Sequence, residues 1–224
     1  MRFKEVFETR HPDINVVISF AGSQQIAQQL SQGAPGDLFA SANSRQMENV
    51  INSSRVVENS VQEFVHNKLV LILPEDNPGN IKTLGDLSKP NLKIILADES
   101  VPVGAYSQEM LAQASQNGGY ESEFKSKVLA NVVSYEENVR AVLTKILLGE
   151  ADAGLVYASD AAGESAGDLL VIDIPDEINI TARYYIAPID GSLNKQIALD
   201  FISLVCSAEG QEILNDYGFV GLAR

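Results

Sequence analysis

Short apolar runs punctuate the chain at residues 14–20 (INVVISF), 69–73 (LVLIL), 92–97 (LKIILA), 154–158 (GLVYA), 169–174 (LLVIDI) and 184–189 (YYIAPI). Their length and β-branched content predict buried strands. Between them apolar residues recur three and four apart, which predicts helices over 24–32, 45–52, 106–116, 121–130, 138–148, 193–205 and 208–216. Val139, Val142, Leu143, Ile146 and Leu147 form the clearest of these faces. Strands that alternate with helices predict an α/β protein with largely parallel sheets. The segment PEDNPGN, 74–80, places two prolines and a glycine directly behind an apolar run and marks a loop and a lobe boundary.

A chain of 224 residues, 45% hydrophobic and 21% charged, can bury a real core as one large domain or two small lobes. Sixteen Lys and Arg against thirty Asp and Glu give a formal net charge of −14, which argues against a nucleic-acid partner. No apolar stretch reaches the length of a membrane span, so no direct membrane insertion is expected of this chain, and no signal segment precedes Met1. The single cysteine, Cys206, lies in the apolar run FISLVCSAEG and is expected to be a buried core thiol without a disulfide partner.

Catalytic signatures are sparse. The two histidines, His11 before Pro12 and His66 ahead of a predicted strand, belong to no catalytic pattern. The sequence has no P-loop, G-x-G-x-x-G, H-E-x-x-H or C-x-x-C motif. Ser122 and Lys125 make an S-x-x-K in a charged helical stretch, where chance accounts for the spacing. The carboxylates of ADES and YEEN have no His or Cys beside them, so a solvated acidic loop is expected rather than a metal site. A protein that is not an enzyme, with no cofactor, is the reading these absences favour.

Three helix starts offer different chemistry. In SFAGSQQIAQQL, a predicted strand ends at Phe20, Ala21 and Gly22 allow a close turn, and Ser23 stands at the N-cap position of the next helix. The first amides of a helix lack internal acceptors and its dipole favours negative charge, so strand, glycine, serine and helix make an anion cradle. A serine there serves equally as an ordinary cap. DESVPVGAYSQEML repeats the logic, with a Pro-Val-Gly turn that places amides near Val103 and Gly104. YEENVRAVLTKI repeats it again, with Asn138 as cap and Val139 among the first amides. GEADAGLVYASDA ends a strand at Tyr157, whose phenol can donate a hydrogen bond while its ring packs on the core.

Together, SFAGSQQIAQQLSQGAPGDLFASAN, VPVGAYSQEML, ENVRAVLTKILLGEADAGLVYASDA and ALDFISLVCSAEGQEILNDYGF closely resemble the molybdate-binding proteins that feed bacterial ATP-driven importers. The resemblance implies the type II periplasmic-binding-protein fold: two α/β lobes with a central cleft and a hinge. One lobe would comprise 1–73 plus 187–224 and the other 74–186, with crossings near Pro74 and Tyr185–Ala187. The implied ligand is a tetrahedral oxyanion, molybdate or tungstate. The matching positions are Ser23 (hydroxyl and amide), Val103 and Val139 (amides) and Tyr157 (hydroxyl), with no other metal. Val103 stands where the family usually has alanine after Val-Pro, a difference that an amide contact tolerates. The implied partner is the membrane permease of an ABC importer, and the implied location is outside the cytoplasmic membrane. Family members begin with a strand and an Ala-Ala-Ser type turn that supplies a further serine, whereas Met1 falls inside the helix that follows. That difference predicts a gap in the first lobe, dimerisation across it, or weakened binding. A receptor for sulfate or phosphate is the neighbouring alternative. A regulator's effector domain would share the lobes but needs a basic helix-turn-helix, which the sequence lacks.

Overall fold

The computed structural model describes residues 2–117, 119–162 and 166–222. In chain order its elements are α1 (Arg2–Arg10), α2 (Ser23–Ser31), β1 (Leu38–Ser41), α3 (Ser44–Asn52), β2 (Gln62–Asn67), β3 (Leu69–Pro74), β4 (Ile94–Ala97), α4 (Pro102–Asn117) and α5 (Phe124–Ala130). They continue with β5 (Val132–Glu136), α6 (Val139–Leu147), β6 (Ala153–Tyr157), α7 (Ala158–Ala161), β7 (Leu169–Asp173), β8 (Ala182–Pro188), α8 (Lys195–Cys206) and α9 (Ala208–Asp216). Two units emerge, Met1–His66 with Arg183–Arg224, and Asn67–Ala182. The expected boundaries at 73/74 and 186/187 fall inside β3 and β8. Hydrogen bonding sets the observed ones: β3 is laddered on both sides, to β6 and β7, and β8 is laddered to β1.

The first unit carries a three-stranded sheet in the order β1-β8-β2, with β1 and β8 antiparallel. Successive strand residues face opposite sides. Ala187 of β8 accordingly joins Ala27 and Leu30 of α2 and Met47 and Val50 of α3, while Ile186 joins Ile202 and Val205 of α8 and Leu214 of α9. Phe7 of α1 adds an edge-on contact to Phe201, ring centroids 5.1 Å apart. Cys206, expected in the core, is only partly buried at the end of α8, with Sγ 3.8 Å from Gln62 Oε1. Helix α8 ends there, so the thiol falls at the rim of the cluster. His66 lies inside β2, and its ring nitrogen is 2.5 Å from Glu63 Oε1.

Residues 14–20 are not a strand. An apolar run becomes β structure only when its amides and carbonyls find a ladder, and no described strand pairs with this one. The Val16 amide instead donates to Glu8 Oε1 at 2.7 Å, and Val17 and Phe20 stand 83% and 73% exposed.

The second unit holds a five-stranded sheet in the order β5-β4-β6-β3-β7. β5, β4 and β6 run parallel, whereas β3 is antiparallel to both β6 and β7. The sheet is therefore mixed rather than largely parallel. β3, β4 and β6 are buried along their whole length, which is why LVLILP, IILA and AGLVY read as unbroken apolar runs. Met110, Leu111 and Ala114 of α4, Val128 of α5, and Val142 and Ile146 of α6 are buried in this unit.

Candidate functional site

Because β5, β4 and β6 are neighbours and parallel, their C-terminal ends lie along one end of the second unit's sheet. Crevices at such ends are where α/β sheets take ligands. Each of these strand ends leads into one expected donor.

Behind β4 the chain enters α4 at Pro102, so Pro-Val-Gly is the first turn of the helix rather than a turn ahead of a helix beginning at 106. Proline suits that place, because its φ is helical and its missing N–H is one the helix could not satisfy. The Ala105 amide donates to Val101 O at 3.0 Å, and the amides of Val103 and Gly104 are first-turn donors for which the helix has no acceptor. Gly104 makes the approach possible. A Cβ there would stand 2.0 Å from Asp98 O and 2.5 Å from Ala97 O, so the helix start rests directly on the end of β4. The Val103 side chain is buried, 1% exposed.

Behind β5, Asn138 caps α6 as expected, with Oδ1 accepting from the Ala141 amide at 2.9 Å. Val139 and Arg140 thereby present the remaining first-turn amides. Close packing fixes this helix start. A Cβ on Gly154 would lie 2.9 Å from Val142 Cγ1 and 3.1 Å from Ile146 Cγ1, so α6 sits tightly on β6. Burial opposes the charge of Glu136 at the end of β5, but hydrogen bonds from Lys145 Nζ (2.6 Å) and Ser134 Oγ (2.5 Å) hold its carboxyl below the usual range.

β6 ends at Tyr157, which is 3% exposed and forms the N-cap of α7. Three residues on, the Asp160 carboxyl accepts from the Tyr157 amide, and burial pushes it up to about 6 against that bond and the charge of Arg140. The residue as a whole is half-buried, yet its Oδ2 is fully enclosed with no hydrogen-bond partner.

Ser23 lies in the first unit. Gly22, with φ −58° and ψ 138°, is the N-cap of α2, its amide donating to Gln25 Oε1 at 3.1 Å, and Ser23 is the first helical residue. Its hydroxyl does not cap the helix as expected. Ser23 Oγ instead accepts from the Ala42 amide at 3.1 Å, just past β1, which leaves its own proton to donate elsewhere.

Topology thus brings Val103, Val139 and Tyr157 to one end of one sheet and places Ser23 at a separate helix start. Sequence reasoning named Gly104 for its amide alone and passed over Asp160. The aspartate three residues after the strand-ending tyrosine, in YASDA, was the available signal. Lys125 Nζ donates to Gln108 O at 3.0 Å. Among the described residues, no group of three or more His, Cys, Asp and Glu side chains is placed to hold a metal ion, and no helix is long and apolar enough to cross a membrane.

The chain is similar to the molybdate-binding protein ModA of Mycobacterium bovis, 33% identical over 215 residues that cover 96% of this chain and 77% of that one. It is similar to the molybdate-binding protein ModA of Escherichia coli at 29% identity over 92% of this chain and 78% of that one. The periplasmic molybdate-binding protein of Azotobacter vinelandii superposes with a TM-score of 0.81 at 20% identity, covering 100% of this chain and 94% of the other, and so shares its fold. That fold is the type II periplasmic-binding-protein fold. With residues 1–220 matching its pattern, the chain belongs to the bacterial extracellular solute-binding protein family.

Proposed function

We propose that this protein captures a tetrahedral oxyanion, molybdate or tungstate, outside the cytoplasmic membrane and delivers it unchanged to the permease of an ABC importer. The observation that carries this reading is the set of neutral donors at the ends of β5, β4 and β6, in a chain 33% identical to a molybdate-binding protein over 96% of its length. In this reading the amides of Val103 and Val139, the Tyr157 hydroxyl and the Ser23 hydroxyl donate to the oxyanion. Hydrogen bonds to a charged group contribute about 1.5–3 kcal/mol each. Four of them, about 6–12 kcal/mol before ordering costs, correspond to a Kd between about 40 μM and the nanomolar range without a lysine or arginine ligand.

An all-donor site also discriminates. A protonated phosphate brings a hydrogen that meets only other donors, whereas molybdate, tungstate and sulfate bring none. The net charge of −14 repels anions, but that repulsion is screened within about 8 Å at physiological salt.

A thermal-shift panel with molybdate, tungstate, sulfate and phosphate tests the assignment. Ligand at 100 times its Kd adds about 2.7 kcal/mol, or roughly 5–10 °C in a chain of this size. Molybdate and tungstate are expected to give that shift at 100 times their Kd. A shift with sulfate or phosphate alone would reassign the ligand, and none with any of the four would overturn the oxyanion reading.

A further inference from the structure

Asp160 is a charge the oxyanion site has no evident use for. It sits on α7, which packs against α6, β3 and β6. The helix is anchored by the Ala158 amide donating to Lys68 O at 2.9 Å and by Asn67 Nδ2 donating to Ser159 Oγ at 2.8 Å. The carboxyl cannot swing away easily, because one oxygen accepts from the Tyr157 amide and the other is fully enclosed.

Its surroundings offer little compensation. α6 presents Arg140, the residue after Val139, whose charge acts on Asp160 from an exposed position. The other cation of α6, Lys145, is engaged with Glu136 at 2.6 Å. β3 contributes no titratable side chain, and β6 contributes only Tyr157. Lys68, just ahead of β3, is engaged with Asp176 at 2.6 Å. Removing a carboxylate from water without pairing disfavours its charged form.

We propose that Asp160 is a positioning residue for Tyr157 whose carboxyl couples anion capture to proton uptake, so that affinity for the oxyanion falls as the carboxyl ionises. The proposal rests on the oxyanion reading above. The physical link is short. The carboxyl holds the backbone of the residue that donates through its phenol, and the charge of Arg140, which acts on it, stands at the helix start that presents the Val139 amide. A dianion taken up beside these groups opposes a second negative charge, and protonating Asp160 removes that opposition. By linkage, an oxyanion that raises the carboxyl's ionisation by one pH unit binds about tenfold more tightly on the acid side than on the alkaline side. Because burial already pushes Asp160 up to about 6, the change falls near neutral pH instead of in acid.

Molybdate titration by calorimetry from about pH 5 to 8 at constant ionic strength, in buffers of differing ionisation enthalpy, reads both affinity and proton uptake. The full chain should bind several-fold more weakly above its midpoint near 6 and take up a fraction of a proton on binding. Asp160→Asn should flatten the profile and abolish the uptake. Arg140→Gln, which leaves the carboxyl in place, should move the midpoint to higher pH. A flat profile in the unaltered protein, or an Asp160→Asn variant that loses affinity equally at every pH while keeping the slope, would overturn the proposal. Absence of binding at any pH would instead overturn the oxyanion reading on which it stands.

Discussion

Replacing Gly104 with alanine probes whether the start of α4 is a working part of the site. The added Cβ would stand 2.0 Å from Asp98 O and 2.5 Å from Ala97 O, both backbone atoms that no side-chain rotation can move. Real Cβ atoms essentially never approach within 3.0 Å, so the helix start must retreat from β4 by about 1 Å. A hydrogen bond of about 2.9 Å stretched by that amount is lost. The Val103 amide would then stop donating, at about 1.5–3 kcal/mol, or roughly tenfold to a hundredfold in affinity. The fold should weaken as well, by about 1–3 kcal/mol for an overpacked contact. Calorimetric titration with molybdate, alongside a urea melt, separates the two effects. A Gly104→Ala protein that is destabilised but binds molybdate as tightly as before would refute a ligand role for the α4 amides.

Ser23→Ala should weaken molybdate binding by about 1.5–3 kcal/mol, measured by the same titration. It also leaves the Ala42 amide without its 3.1 Å acceptor, so a small loss in melting temperature is expected with it. Tyr157→Phe should cost a similar amount in affinity while preserving the buried ring's packing, and unchanged Kd values for both variants would remove these residues from the site. Stability should depend on pH through Asp160. Its folded value near 6 lies above the ordinary 3.8, so its contribution is fully present below about pH 4 and is lost as pH rises through 6. The whole change amounts to at most about 3 kcal/mol in denaturant melts, and Asp160→Asn should remove it.

The second unit was largely legible in the sequence, and the first was less so. LVLIL, IILA and GLVY announce themselves because strands buried on both faces carry unbroken apolar runs. The signals at Asn138 and Tyr157 depend only on local chain chemistry, and the structure has both at the ends of the elements expected. β1, β2 and β5 escaped notice because their polar residues, such as Ser41, Glu63 and Ser134, interrupt the apolar pattern. Residues 14–20 mislead in the opposite sense, since their apolar run carries strand propensity without a ladder to realise it. Antiparallel pairing of β3 was equally hidden, because direction follows from where the chain returns and not from which residues are apolar. Gly104 looked like a turn residue. Its real constraint is a contact with the carbonyls of Ala97 and Asp98, visible only once α4 and β4 are placed together.

The most direct measurement is the crystal structure of this protein with tungstate bound, using the anomalous signal of tungsten to locate the ion. One ion is expected, its oxygens within about 2.7–3.2 Å of the Val103 and Val139 amides, the Tyr157 hydroxyl and the Ser23 hydroxyl, with no lysine or arginine side chain among its ligands. Tungsten held at another place, or held chiefly by cationic side chains, would contradict that expectation.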